Sequence, residues 1–162
     1  MKIYFAADHA GFQLKGALIE YVRELKHSAE DCGAHLHDEA DDYPPLIRAA
    51  AQKLADDVAK ELDSRAIFIG GSGQGEAIVA NRIKGVRCGL YYGAPPKRQT
   101  DAAGKELDII ESLRIHNDAN ALALGARFLS LEDAKEAVKR WLEIPFDHGS
   151  RHERRVWQID AT

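Results

Sequence analysis

The sequence predicts an α/β domain built on a parallel sheet with helices covering both of its sides. Three observations predict it. Strand-like and helix-like segments alternate along the chain; Ala66-Ile67-Phe68-Ile69 is a near-continuous apolar run of the kind buried on both faces in a parallel sheet; and a glycine-rich turn follows that run and leads directly into a helix. At 162 residues the chain fits one domain, residues 1–162, large enough to bury a core without disulfides or a structural metal.

Lys2 to Ala7 is short, apolar and β-prone, and Leu14, Leu18, Val22 and Leu25 then recur at helical spacing. A weaker strand around Ser28 to Cys32 ends at Gly33, and an acidic stretch, Asp38 to Asp42, leads to Tyr43-Pro44-Pro45. Proline can open a helix, so a helix is expected from about Pro45 to Leu62, with the stripe Ile47, Ala50, Ala51, Leu54, Val58 and Leu62 facing the sheet. After the apolar run comes a helix from Glu76 to about Arg82, a strand from Val86 to Tyr91, a variable segment from Gly93 to His116, and a strand from Ala121 to Phe128. Within the variable segment, Gly93-Ala94-Pro95-Pro96-Lys97-Arg98-Gln99-Thr100 is a loop by its prolines and polarity. Ser130 with Asp133 forms a capping pattern ahead of a helix carrying Leu131, Ala134, Val138 and Trp141. Beyond Ile144 helical periodicity is lost, and residues 144–162 are expected to form a basic tail that docks on a neighbouring subunit.

The composition, 45% hydrophobic and 30% charged with a net charge of -4, belongs to a soluble globular protein and gives no global bias toward nucleic acid. The N-terminal apolar run is too short for a signal peptide and no stretch approaches a membrane span, so a cytoplasmic protein without membrane partners is expected. Cys32 and Cys88, the two cysteines, make neither a disulfide framework nor a zinc pattern; they are expected to be ordinary reduced thiols.

Chemistry concentrates in five places. Gly70-Gly71-Ser72-Gly73-Gln74-Gly75-Glu76 lies between a buried strand and a helix, where glycines let backbone amides approach an anion and the helix start adds partial positive charge. Such turns also serve nucleotide binding or simply turn the chain; no lysine follows the last glycine, so an ATP-type phosphate loop is disfavoured. Asp8-His9-Ala10-Gly11 sits at the end of the first strand, where open parallel sheets collect ligands, and an acid beside an imidazole suits proton transfer; an aspartate capping the next helix is the alternative.

His116-Asn117-Asp118-Ala119-Asn120 precedes the last strand and offers hydroxyl-binding groups from a loop edge, or is a turn favoured by Asn and Asp. Arg127, within or just after that strand, would need an anionic partner if buried, either a substrate phosphate or an internal carboxylate. Arg151, His152, Arg154 and Arg155 form either a solvated basic tail or the cations an anionic substrate requires.

Taken together, Asp8-His9-Ala10-Gly11-Phe12 with Leu14-Lys15, Asp42-Tyr43-Pro44, the Gly-Ser-Gly-x-Gly loop, Ala80-Asn81, His116 to Asn120, Leu124-Gly125-Ala126-Arg127 and Arg151-His152-x-Arg154-Arg155 resemble the ribose-5-phosphate isomerase B and galactose-6-phosphate isomerase family, in unchanged order over nearly the whole chain. The resemblance implies a Rossmann-like, doubly wound fold of three layers, a homodimer or a higher oligomer, and interconversion of an aldose phosphate and a ketose phosphate through an enediolate, with no metal and no cofactor. It assigns Asp8, His9 and His116, with Asn117 beside it, to sugar binding and ring opening. Gly71, Ser72, Gly73 and Gly75 are assigned to the enediolate oxygen, and Arg127, Arg151, His152 and Arg155 to the phosphate.

Many members carry a cysteine base just before the loop, where this chain has Gly70. Another branch has a glutamate directly after the loop, which Glu76 matches. A carboxylate on the first helical turn faces the same cleft as the loop amides and can reach a carbon-bound proton, so Glu76 is expected to be the base; a glutamate that only caps its helix is the alternative. The helix dipole would lower its pKa, so burial must counter that for a base working near neutral pH. The segment from Gly93 to Arg114 is longer than its family counterpart. That segment could change which sugar phosphate is accepted, so a six-carbon substrate, allose or galactose 6-phosphate, stands as a rival, and a non-catalytic nucleotide-binding module using the same glycine loop stands as another.

Overall fold

The computed structural model describes every residue except Pro96, Arg98, Ala103 and Thr162. Five strands, β1 (Lys2–Ala7), β2 (Ser28–Asp31), β3 (Ser64–Gly70), β4 (Cys88–Tyr91) and β7 (Ala121–Gly125), form one parallel sheet in the order β2-β1-β3-β7-β4. Alternate residues of each strand feed opposite faces. Ile3, Phe5 and Ala7 pack with α1 (Phe12–Glu24), α4 (Ile109–Asn117) and α5 (Leu131–Glu143), whereas Tyr4 and Ala6 pack with α2 (Tyr43–Val58) and α3 (Gln74–Ala80). Every residue of β3 and β7 is buried, as apolar central strands require, and Trp141 of α5 is the bulkiest fully buried side chain.

The chain runs outward from β1 to β2 and then returns across β1 to β3. The C-terminal ends of β1 and β3 therefore stand side by side where strand order reverses, the position at which open α/β sheets leave a crevice.

Several boundaries differ from the sequence expectations. The helix α2 ends at Val58, not Leu62, because Glu61 turns left-handed at φ 57° and Leu62 donates its amide back to the Asp57 carbonyl, leaving its side chain exposed. The helix α3 begins at Gln74, two residues earlier than expected, and β4 begins at Cys88. The variable segment is not uniformly irregular: β5 (Gln99–Thr100) pairs with β6 (Glu106–Leu107) as a small antiparallel ribbon, and α4 follows. In the proline-rich loop, Pro96 and Arg98 lie outside the described residues. The C-terminal segment also corrects the expectation, because residues Arg151–Asp160 form a helix, α6, capped by Ser150 and packed on α4, with Val156 as its buried residue. No helix among the described residues is long and apolar enough to cross a membrane.

Candidate active site

The crevice at the ends of β1 and β3 is organised around glycine. Glu76, on the first turn of α3, is 4% exposed, and its carboxylate folds back over Gly70; a Cβ built on Gly70 would lie 2.0 Å from Oε1. Burial pushes the Glu76 carboxyl above its ordinary range, and the charge of Asp8 adds to the rise, while its own backbone amide opposes it. Desolvation is the largest of these effects, and the net shift is upward.

The loop itself requires its glycines. Gly73 is left-handed at φ 73°, with the Leu124 backbone 2.9 Å from where a Cβ would sit. A Cβ on Gly75 would lie 2.5 Å from the Tyr43 hydroxyl, and one on Gly71 would lie 3.1 Å from the Arg127 guanidinium carbon. Ala126 and Arg127 donate their amides to the carbonyls of Gly70 and Gly71 at 2.9 and 3.1 Å, which fastens the segment after β7 to the loop. Ser72 is half-buried within it, its Oγ facing the Gln74 amide at a long 3.4 Å.

Asp8, 8% exposed, accepts the amides of Ala10 and Gly11 on Oδ1 at 3.0 and 3.1 Å, so it steadies the turn into α1 while lying in the crevice. His9 holds its Nδ1 2.8 Å from Asp41 Oδ1, which also accepts the His9 amide at 3.2 Å. The hydrogen bond to Asp41, helped by the charges of Asp8 and Asp41, raises the His9 pKa against desolvation and the nearby Arg127. Asp8, His9 and Asp41 offer ligand atoms within 4.8 Å of one another, a spacing a cation could use. Since Asp41 already engages His9 Nδ1, a hydrogen-bonded dyad beside Asp8 accounts for the trio.

Arg127 is exposed over the loop, just after the strand: β7 ends at Gly125, not at Phe128 as expected, so Arg127 is outside the sheet and needs no internal carboxylate. The cysteines are no substitute base. Burial raises the Cys32 thiol and pushes the Cys88 thiol far above the usual range.

His116 and Asn117 form a second, separate group. They are the last residues of α4 rather than a loop edge, and the following Asp118 is the left-handed cap at φ 43°. The His116 ring stacks on that of His152 at 4.1 Å and 11°, joining α4 to α6. Arg151 and Arg155 are exposed on α6, and Asn117 donates to the Ser112 carbonyl at 3.2 Å. Burial, then the charges of His116, Arg151 and Arg155, lower the His152 pKa. In β7, Ala121 pairs with Ala66 and Gly125 with Gly70, so the segment just after α4 meets the sheet at the end opposite the glycine loop. One chain therefore does not bring His116, Asn117, Arg151, His152 and Arg155 to Glu76.

Sequence reasoning gave no role to Tyr43 and none to Asp41. Tyr43 stood in a recognised motif; Asp41 is one acid among several between Asp38 and Asp42, and only the folded loop singles it out. A concavity of about 510 Å³ lined by Arg65, Arg87, Arg114 and Asp118 lies under the N-terminal ends of the strands. Arg87 and Arg114 are tied there to Asp118 at 2.8 and 2.9 Å, with Asp160 also on Arg87 at 2.7 Å, so these cations serve the fold.

Residues 3–159 match the family model described as Ribose/Galactose Isomerase. The chain is 36% identical over 156 residues to ribose-5-phosphate isomerase B of Mycobacterium tuberculosis, covering 96% of this chain and 86% of that one. It is 34% identical over 157 residues to the Mycobacterium leprae protein of the same name, with coverage of 96% and 86%. Among solved structures, it superposes on ribose-5-phosphate isomerase B from Mycoplasma genitalium with bound ribulose-5-phosphate at a TM-score of 0.83 and 28% identity, covering 99% of this chain and 94% of that one. The Thermotoga maritima ribose 5-phosphate isomerase gives a TM-score of 0.80 at 33% identity, covering 99% and 98%.

Proposed function

The chain belongs to the ribose/galactose isomerase family, and on that premise we propose that it interconverts ribose 5-phosphate and ribulose 5-phosphate by moving one proton through an enediolate. The observation that carries the reading is the Glu76 carboxylate, buried over Gly70 beside Asp8 at the strand-order reversal, with its pKa raised. The fold is read as doubly wound and three-layered, which gives that crevice its place.

Glu76 takes the proton from C2 of the open-chain aldose; the C2–H pair becomes the C1=C2 bond and the C1 carbonyl becomes an oxyanion. Loop amides from Gly71 to Gly75, with Ser72, hold that oxygen. A proton passes between the two oxygens, Glu76 returns its own to C1, and a C2 carbonyl remains. Asp8 and His9 engage the sugar hydroxyls, and Arg127 meets the phosphate.

The remaining groups come from a second copy. His116 for ring opening, Asn117 for a hydroxyl, and Arg151, His152 and Arg155 for the phosphate sit together on α4 and α6, away from Glu76 of their own chain. A symmetric dimer would set this face of one protomer against the crevice of the other, with the C-terminal segment as the docking element.

Turnover of ribose 5-phosphate, allose 6-phosphate and galactose 6-phosphate tests the substrate. Preference for the pentose is expected, and equal or better turnover of a hexose would sink it. Calorimetry with a mononucleotide tests the non-catalytic rival, which gains if the nucleotide binds tightly and pentose phosphates do not.

A further inference from the structure

The isomerase reading leaves out Asp41, although this residue closes the crevice beside His9. It lies in the segment between β2 and α2, and its two oxygens are unequal. Oδ1 is used twice, by the His9 amide at 3.2 Å and by Nδ1 at 2.8 Å. Oδ2 is buried and has no hydrogen-bond partner among the described residues.

A carboxylate oxygen withdrawn from water without a donor costs about 1–3 kcal/mol or more, so Asp41 is held in this place at a cost. Oδ2 is closed to solvent, and Asp41 therefore acts on the crevice through the imidazole that its other oxygen holds. Asp8, whose ligand atom lies within 4.8 Å, is already engaged by amides, and Arg127 lies over Gly71 on the loop. The His37 ring stands edge-on at 6.5 Å from that of His9, with Phe12 packed against it at 5.7 Å.

Resting on the isomerase reading, we propose that Asp41 is a positioning residue of this site. Its Oδ1 accepts from both the His9 amide and Nδ1–H, fixing the ring so that Nε2 faces the sugar. The groups facing His9 are Asp41 from the β2–α2 segment, Asp8 from its own turn, Arg127 from beyond β7 and His37. Of these, Asp41 is the main cause of the raised His9 pKa. Removing its charge therefore lets His9 lose its proton at lower pH.

The test is Asp41→Asn in the full chain, with kcat and KM for ribose 5-phosphate measured across pH. kcat/KM is expected to fall about 10-fold or more, as the His9 ring loses its charge-assisted hydrogen bond. The alkaline limb of kcat/KM is expected to move to lower pH, and Asp41→Glu, which restores the charge, is expected to move it back. A kcat/KM within twofold of wild type together with an unmoved limb overturns the proposal.

If the substitution impairs folding, NMR titration of the His9 ring in the wild-type chain gives an independent reading. A pKa above the ordinary value of about 6.5 is expected, and one at or below it overturns the positioning task. The two failures are separable. A wild-type chain that isomerises no sugar phosphate defeats the isomerase reading, whereas an active wild type matched by Asp41→Asn defeats only the role of Asp41.

Discussion

The Glu76 carboxylate occupies the space that a side chain at residue 70 would fill, with Oε1 2.0 Å from a Cβ built on Gly70. The glycine is therefore a condition for the Glu76 placement on which the proposed base depends, although six positions separate the two residues. Gly70→Ala is expected to push the flexible carboxylate aside while leaving the strand intact. The expected result is a fall in kcat of about 10²-fold, the lower end of what general-base catalysis contributes, with little change in melting temperature. Steady-state kinetics alongside thermal unfolding checks this.

Removing the base directly should cost more. Glu76→Gln keeps the shape and is expected to lower kcat by about 10²–10⁴-fold and to stop exchange of the substrate C2 proton with solvent. Activity near the wild-type level would remove Glu76 from the mechanism. In the wild type, activity should require the ionised carboxylate, so the acidic limb of kcat/KM is expected above the ordinary glutamate value of about 4.3.

The same substitution should stabilise the protein. Burial raises the Glu76 pKa in the folded state, so the fold binds a proton more tightly than the unfolded chain does. Stability from this group then declines as pH rises from the unfolded pKa through the folded one, and the charged form is a cost at neutral pH. Glu76→Gln is expected to melt a few degrees above wild type at pH 7, with the gap closing near pH 4, below both pKa values. A lower melting temperature at pH 7 would contradict the desolvation argument.

A site shared between subunits can be tested by mixing two inactive proteins. Glu76→Gln spoils the crevice and His116→Ala spoils the α4–α6 face, so a heterodimer of the two has one site made wholly of intact halves. After dissociation and reassociation, random pairing should restore about a quarter of wild-type activity. No recovery from a confirmed heterodimer would place His116 outside the site.

Lys15 offers a stability test away from the chemistry. Its side chain is 2% exposed, and Nζ donates to Asp31 Oδ1 at 2.6 Å and the Ala34 carbonyl at 2.5 Å. Lys15→Met keeps the apolar stem but strands that carbonyl, and Asp31, more exposed, can rehydrate. A loss of about 1–3 kcal/mol is expected, the cost of an unsatisfied buried acceptor, read from denaturant unfolding.

What was legible in the sequence follows from where the signals come from. Strands β1, β3 and β7 carry near-continuous apolar runs, Ile3 to Ala7, Ala66 to Ile69 and Ala121 to Leu124, because helices cover both faces, so composition alone finds them. The helix α4 lies in the segment from Gly93 to His116 to which the sequence reading assigns no element, although Asp108 caps it by accepting the Glu111 amide in an Asp-x-x-Glu pattern. The helix α6 buries only Val156, so no apolar stripe marks it, and its Ser150 cap is a weak signal alone. The glycine loop, Asp8, His9 and Glu76 were readable because they adjoin strand ends. Their separation from His116 was not, since it depends on which end of the sheet each connection reaches. Asp41 needed the folded loop to distinguish it from its acidic neighbours.

The shared volume at residues 70 and 76 also constrains how such a site can change over generations. A side chain gained at 70 while Glu76 remains displaces the carboxylate proposed as the base, and loss of Glu76 while Gly70 remains removes it. Either single step crosses a poorly active intermediate, so the two positions should vary as a pair. A library randomising both together is expected to recover active combinations that neither single-site library contains.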